Sequence, residues 1–210
     1  MMEIGEIMRL SPVIPVLIIH DPAQARPVGE ALVRGGLRVL EVTLRTPAAL
    51  DVIRELRGID GAVVGAGTVL NEKQLDDALS AGAEFAVSPG MTAPLATAAI
   101  TRGIPYLPGI ATAGEIMRGF ELGLRHFKFF PAEAAGGRAA LKALSAPFGD
   151  AHFCPTGGVT EETAPQWLAL EQVLCVGGSW LGPSASTDLA SIEAAARRAS
   201  TFHSSSSEIQ

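Results

Sequence analysis

Along this chain, short apolar runs take turns with longer stretches whose apolar residues recur at helical spacing. The runs are rich in Val, Ile, Leu and Phe: VIPVLII (13–19), VLEVTLR (39–45), AVVGAGTV (62–69), FAVSPG (85–90), YLPGI (106–110), HFKFFP (126–131), HFCPTGG (152–158) and VLCVGGSW (173–180). Such alternation is the mark of repeated βα units and a parallel sheet. Eight units predict an α/β protein with a (β/α)8 barrel, preceded by a short N-terminal helix. Asp21, Thr46 with Pro47, Asn71, Thr92, Thr112 and Thr160 stand where helix N-caps belong. Glycine-containing stops recur at 34–36, 80–82 and 121–123. An open doubly wound sheet is the competing architecture, but HDPAQ follows the first run where that fold carries a glycine-rich turn.

Composition narrows the class. The 210 residues, 48% of them hydrophobic, suffice for a full core, so residues 1–200 are expected to form one domain and 201–210 a frayed tail. A net charge of −6 without a basic run argues against a nucleic-acid partner. The N-terminus MMEIGEIMRL has no charged segment followed by an apolar one, and no apolar run approaches bilayer length. The expectation is a cytoplasmic protein with no membrane partner. Cys154 and Cys175 stand apart inside apolar runs and read as reduced core thiols. His20, His126, His152 and His203 show no metal-ligand spacing, and no metal site is expected.

Chemistry enters with the polar residues that interrupt these runs. In barrels of this kind active sites lie at the C-terminal ends of the strands. In the second run, alternation separates Leu40, Val42 and Leu44 from Val39, Glu41, Thr43 and Arg45. The leucine face meets the helices, so Glu41, Thr43 and Arg45 point inward. In the sixth run Lys128 shares a face with His126 and Phe130, and it is one of only three lysines in the chain. A strand lysine can snorkel to water, and Glu41 with Arg45 can be a structural pair. The second and sixth runs, however, lie opposite one another in an eight-stranded barrel, which lets Glu41 and Lys128 meet. Each buried charge costs several kcal/mol unless matched. A carboxylate, a guanidinium and an amine in an apolar lumen therefore point to chemistry, and the chemistry of a buried amine is imine formation. A carboxylate next to that amine implies either a shared proton or a gap bridged by water.

PTGGVT (155–160) and VGGSW (176–180) end the last two runs, where barrels commonly build phosphate sites from backbone N–H groups. GAGT (65–68) and SPG (88–90) bring Thr68 and Pro89 to the same mouth.

With GLRVLEVTLRTP, AVVGAGTVL, FAVSPG, FKFFPAE, FCPTGGVT and CVGGSW, the chain resembles, over nearly its whole length, the bacterial aldolases of 2-keto-3-deoxy-6-phosphogluconate (KDPG) and 2-keto-4-hydroxyglutarate (KHG). The resemblance implies Lys128 as the Schiff-base lysine, Glu41 as the proton-transferring residue, and Arg45, Thr68, Pro89, Phe130 and Thr156 as substrate contacts. It implies phosphate binding by Gly157, Gly158, Gly178 and Ser179, no cofactor, a phosphorylated 2-keto acid as substrate, a homotrimer, and a place in the Entner-Doudoroff pathway. Two other readings stay open at this stage. One is a phosphosugar isomerase or epimerase on the same barrel, and the other a non-catalytic phosphometabolite-binding protein.

Overall fold

The computed structural model describes residues 2–183 and 188–202, so residues 203–210 of the expected tail, with His203, lie outside the described residues. The chain opens with helix α1 (Ile4–Arg9), followed by β1 (Val13–Leu17), α2 (Ala25–Arg34), β2 (Val39–Thr43), α3 (Ala49–Leu56), β3 (Val63–Gly67) and α4 (Glu72–Ala81). It continues through β4 (Phe85–Val87), α5 (Ala93–Thr101), β5 (Tyr106–Leu107), β6 (Gly109–Ile110), α6 (Ala113–Glu121) and β7 (His126–Phe129). The last elements are α7 (Gly137–Ser145), β8 (His152–Pro155), α8 (Ala164–Leu168), β9 (Val176–Gly178) and α9 (Leu189–Ser200).

The strands form two parallel sheets, ordered β5-β4-β3-β2-β1-β9 and β6-β7-β8. Isolated parallel bridges, Phe153 with Val173 and Thr156 with Gly177, link the second sheet to the segment that ends in β9. The fifth apolar run is divided between the sheets at Pro108, which has no N–H for a ladder. Its two halves pair, both in parallel, with different neighbours, β5 with β4 and β6 with β7. The carbonyl of Pro108 still accepts from the N–H of Lys128 at 2.8 Å.

Alternation along the strands sorts the interior into two clusters. Leu40, Val42, Val64, Ala66, Phe127, Phe129 and Phe153 join the helices in the larger cluster. Ile14, Val39, Val63, Phe85, Val87, Leu107, Cys154 and Cys175 form a smaller one on the opposite strand faces. Ile7 and Met8 of α1, 1% and 0% exposed, pack into this inner cluster from the side where the strands begin. Burying these side chains is the main force holding the layers together, at roughly 25 cal/mol per Å² of apolar surface.

Helix starts agree only in part with the sequence reading. Asn71 accepts from the N–H of Gln74, and Thr112 forms a capping box with Glu115. Thr92 occupies its N-cap without a side-chain bond. Thr46 is not a cap: α3 begins at Ala49, and the Thr46 hydroxyl donates to the carbonyl of Ile19 at 2.9 Å. Thr160 is displaced likewise, with Thr163 at the N-cap of α8. Among the described residues no helix is long and apolar enough to cross a membrane.

Candidate active site

The site grows from the inward positions of β2 and β7. Glu41 is the third residue of β2, on the same face as Val39 and Thr43, with Gly65 of β3 as its partner in the ladder. Lys128 is the third residue of β7, paired with Gly109 on one side and Cys154 on the other. Their side chains meet: Lys128 Nζ donates to Glu41 Oε1 at 3.0 Å, with the residues 5% and 3% exposed. The bond is direct, so of the two arrangements open from the sequence, the water-bridged gap is ruled out.

Space for this contact comes from a residue the sequence reading passed over. A Cβ on Gly67 would lie 2.2 Å from Glu41 Oε1 and 2.7 Å from its Cγ, so the last residue of β3 has to be glycine for the carboxylate to stand where it does. Gly177 plays the same part beside Thr156, whose Oγ1 would be 2.2 Å from an added Cβ. The signal was present in the inward positions of GAG and VGG. Only the register between strands reveals which side chain each glycine admits.

Arg45 departs from the expected strand. β2 ends at Thr43, and Arg45 lies exposed in the following turn. The strand stops there because Thr43 Oγ1 turns to donate to the carbonyl of Leu17 at 3.0 Å while Thr46 ties the turn to Ile19. Arg45 still reaches the site, with Nε donating to Thr68 Oγ1 at 3.3 Å. Thr68, directly after Gly67, has φ +59, a left-handed conformation that a β-branched residue adopts at a cost of about 1–3 kcal/mol. Pro89 is brought in by another close approach: its carbonyl oxygen lies 2.2 Å from where a Cβ on Gly109 would be. The turn is tied down by Ser88 Oγ, which donates to the carbonyl of Gly90 at 2.6 Å and lies 2.6 Å from the hydroxyl of Tyr106. Burial pushes the Tyr106 phenol up to about 12, so it stays a neutral donor.

On the other side, the Phe130 ring centroid is 5.5 Å from Lys128 Nζ, and its edge would be 3.3 Å from a Cβ on Gly157. Phe130 thus spans the distance between the amine and the PTGG turn. Thr156 is buried, with Oγ1 donating to its neighbour Cys154's carbonyl at 3.4 Å. Gly157 and Gly158 have φ +100 and +81. Among the described residues, neither of their N–H groups donates to a protein acceptor. Ser179 is exposed just beyond β9, next to this turn through the Thr156–Gly177 bridge. A Cβ on Gly178 would lie 2.4 Å from the ring of Trp180.

Both cysteine sulfurs belong to the smaller cluster of strand side chains. Cys154 and Cys175 are buried free thiols, and burial pushes Cys175 well above the usual thiol range. Among the described residues no group of three or more His, Cys, Asp or Glu could hold a metal ion. A cavity of about 570 Å³, lined in part by Met2, Ile7, Ala83 and Ile104, lies against α1 at the other end of the strands, and its Arg102 is engaged by Asp76.

Residues 4–195 match the family described as KDPG and KHG aldolase. The 2-dehydro-3-deoxy-phosphogluconate aldolase of Zymomonas mobilis is 54% identical over 202 residues, 96% of this chain and 97% of that one. A crystal structure of the Zymomonas mobilis ZM4 enzyme with 3-phosphoglycerate superposes with a TM-score of 0.95, covering 97% of each chain at 54% identity. The Legionella pneumophila KDPG aldolase, with pyruvate captured as a covalent carbinolamine, gives 0.92 at 43% identity, over 95% of this chain and 99% of that one.

Proposed function

The chain belongs to the KDPG and KHG aldolase family, and from that premise we propose that it is a lyase of the Schiff-base type, cleaving KDPG to pyruvate and glyceraldehyde 3-phosphate. The observation that carries the mechanism is the buried amine–carboxylate contact of 3.0 Å between Lys128 and Glu41. An isomerase would need the carboxylate and the phosphate turn but has no use for the amine.

Only the free amine attacks a carbonyl, and a proton moving from Nζ to Oε1 supplies it. Lys128 adds to the C2 ketone of KDPG, and the proton that Glu41 took passes to the departing hydroxyl, which leaves as water; a protonated imine and an ionised Glu41 remain. Glu41, free to act as base once the imine has formed, takes the proton of the C4 hydroxyl. The C3–C4 bond breaks, its electron pair passes into the enamine, and glyceraldehyde 3-phosphate departs. Protonation at C3 and hydrolysis of the imine release pyruvate and restore the amine. The reaction calls on no cofactor, because the iminium is the electron sink.

Arg45 and Thr68 hold the substrate carboxylate, and Pro89, Phe130 and Thr156 shape the pyruvate end. Ser179 and the backbone N–H groups of Gly157, Gly158 and Gly178 take the phosphate. KHG, which lacks the phosphate, is the secondary substrate. We further read the two sheets as one (β/α)8 barrel in a single domain, supported by the two bridges toward β9 and by the continuity of the chain through Pro108. A cytoplasmic homotrimer serving the Entner-Doudoroff route completes the proposal.

The test is turnover: KDPG supplied to the purified protein should release pyruvate, read by coupling to lactate dehydrogenase. Saturable binding of KDPG without pyruvate release would leave only a binding protein.

A further inference from the structure

Glu133 belongs to none of the roles above, yet it joins three parts of the mouth. Its N–H donates to the carbonyl of Gly157 at 3.0 Å, one residue after Ala132 donates to the carbonyl of Thr156 at 2.8 Å. Its Cβ and Cγ lie 2.7 Å from where a Cβ on Gly158 would be, so the glycine turn rests directly on this side chain. Its Oε1 accepts from the indole N–H of Trp167 at 3.1 Å. Trp167 is 0% exposed and stands on α8, the helix that the PTGG loop leads into. The loop is therefore gripped at its strand end by the backbone of Glu133 and at its helix end by the carboxylate.

We propose that Glu133 is the positioning residue of the phosphate turn, holding Gly157 and Gly158 so that their unused N–H groups stay presented to the substrate phosphate. This rests on the reading that the turn binds phosphate. A buried indole N–H without an acceptor is costly, and relief would come from shifting α8 and the loop attached to it. Donors misplaced by such a shift lose a charge-assisted hydrogen bond to phosphate, while a substrate without phosphate feels little of it.

The experiment compares kcat/KM for KDPG and for KHG in Glu133→Ala, Glu133→Gln, Trp167→Phe and Ser179→Asp. The ratio of the two values within one preparation cancels any unfolded fraction. Glu133→Ala and Trp167→Phe should each lose about tenfold more on KDPG than on KHG, the scale of one charge-assisted bond. Glu133→Gln, whose amide oxygen can still accept from the indole, should restore most of the ratio. Equal losses on both substrates in Glu133→Ala, or a Gln variant as selective as the Ala variant, overturn the inference. Ser179→Asp reports on the phosphate reading separately. If it is selective against KDPG while Glu133→Ala is not, Glu133 alone is wrong. If Ser179→Asp loses equally on both, the phosphate reading fails and this inference falls with it.

Discussion

Lys128 Nζ donates to Glu41 Oε1 at 3.0 Å, with both residues almost wholly removed from water. A buried ion pair of this kind is poor evidence of stabilisation, since desolvation offsets much of the attraction. Its presence between β2 and β7, beside apolar strand side chains, is better explained by what an amine and a base do together.

Replacing the base while keeping its shape tests that explanation. Glu41→Gln should lower kcat by roughly 10²-fold or more, the usual scale for one acid–base group, with a smaller change in KM. Near-normal turnover would make Glu41 a structural partner of Lys128.

Gly67→Ala should be nearly as damaging although it removes no functional group. The new Cβ would fall 2.2 Å from Glu41 Oε1, which forces the carboxylate aside. A displacement on the order of 1 Å at a reacting group can cost about 10²-fold. Wild-type kcat in this variant would show that the placement of Glu41 is not critical.

Thr68→Gly should separate stability from activity. The left-handed backbone at φ +59 is relaxed by glycine, and the fold should gain about 1 kcal/mol in urea unfolding. The hydroxyl that accepts from Arg45 is lost at the same time, and KM for KDPG should rise. A destabilised variant with unchanged KM would contradict both halves.

The pH dependence of stability should carry the signature of His126. It stacks on His152 with ring centroids 5.4 Å apart, near Gly5 and Arg9 of α1. Burial, then the charges of His152 and Arg9, lower its pKa to about 4. His152 is lowered too, by burial first and by Arg9, with Asp150 opposing. Unfolded imidazole titrates near 6.5. The unfolded chain therefore takes up protons first, and this contribution, complete above about pH 6.5, is lost as pH falls toward 4. His126→Gln should flatten the slope of unfolding free energy against pH in that window. An unchanged slope would mean that His126 binds its proton as readily in the fold as in the unfolded chain.

Much of the site was legible before the fold was known. Alternation in VLEVT placed Glu41 inward, and the scarcity of lysine drew attention to Lys128. The alternation was extended too far at Arg45, because hydroxyls of Thr43 and Thr46 end the strand by bonding to a neighbouring chain segment that the local pattern does not contain. Gly67 and Gly177 escaped notice for a related reason. A missing side chain has meaning only beside the group that fills its place, and that group belongs to another strand. Glu133 and Trp167 are likewise joined only by the fold.

The most direct test of the central claim is intact mass after incubation with pyruvate and borohydride, followed by peptide mapping. Reduction of the imine should add one pyruvyl-derived group per chain, at Lys128, and abolish turnover. An adduct at Lys73 or Lys142, or no adduct in a protein that still cleaves KDPG, would contradict the Schiff-base assignment.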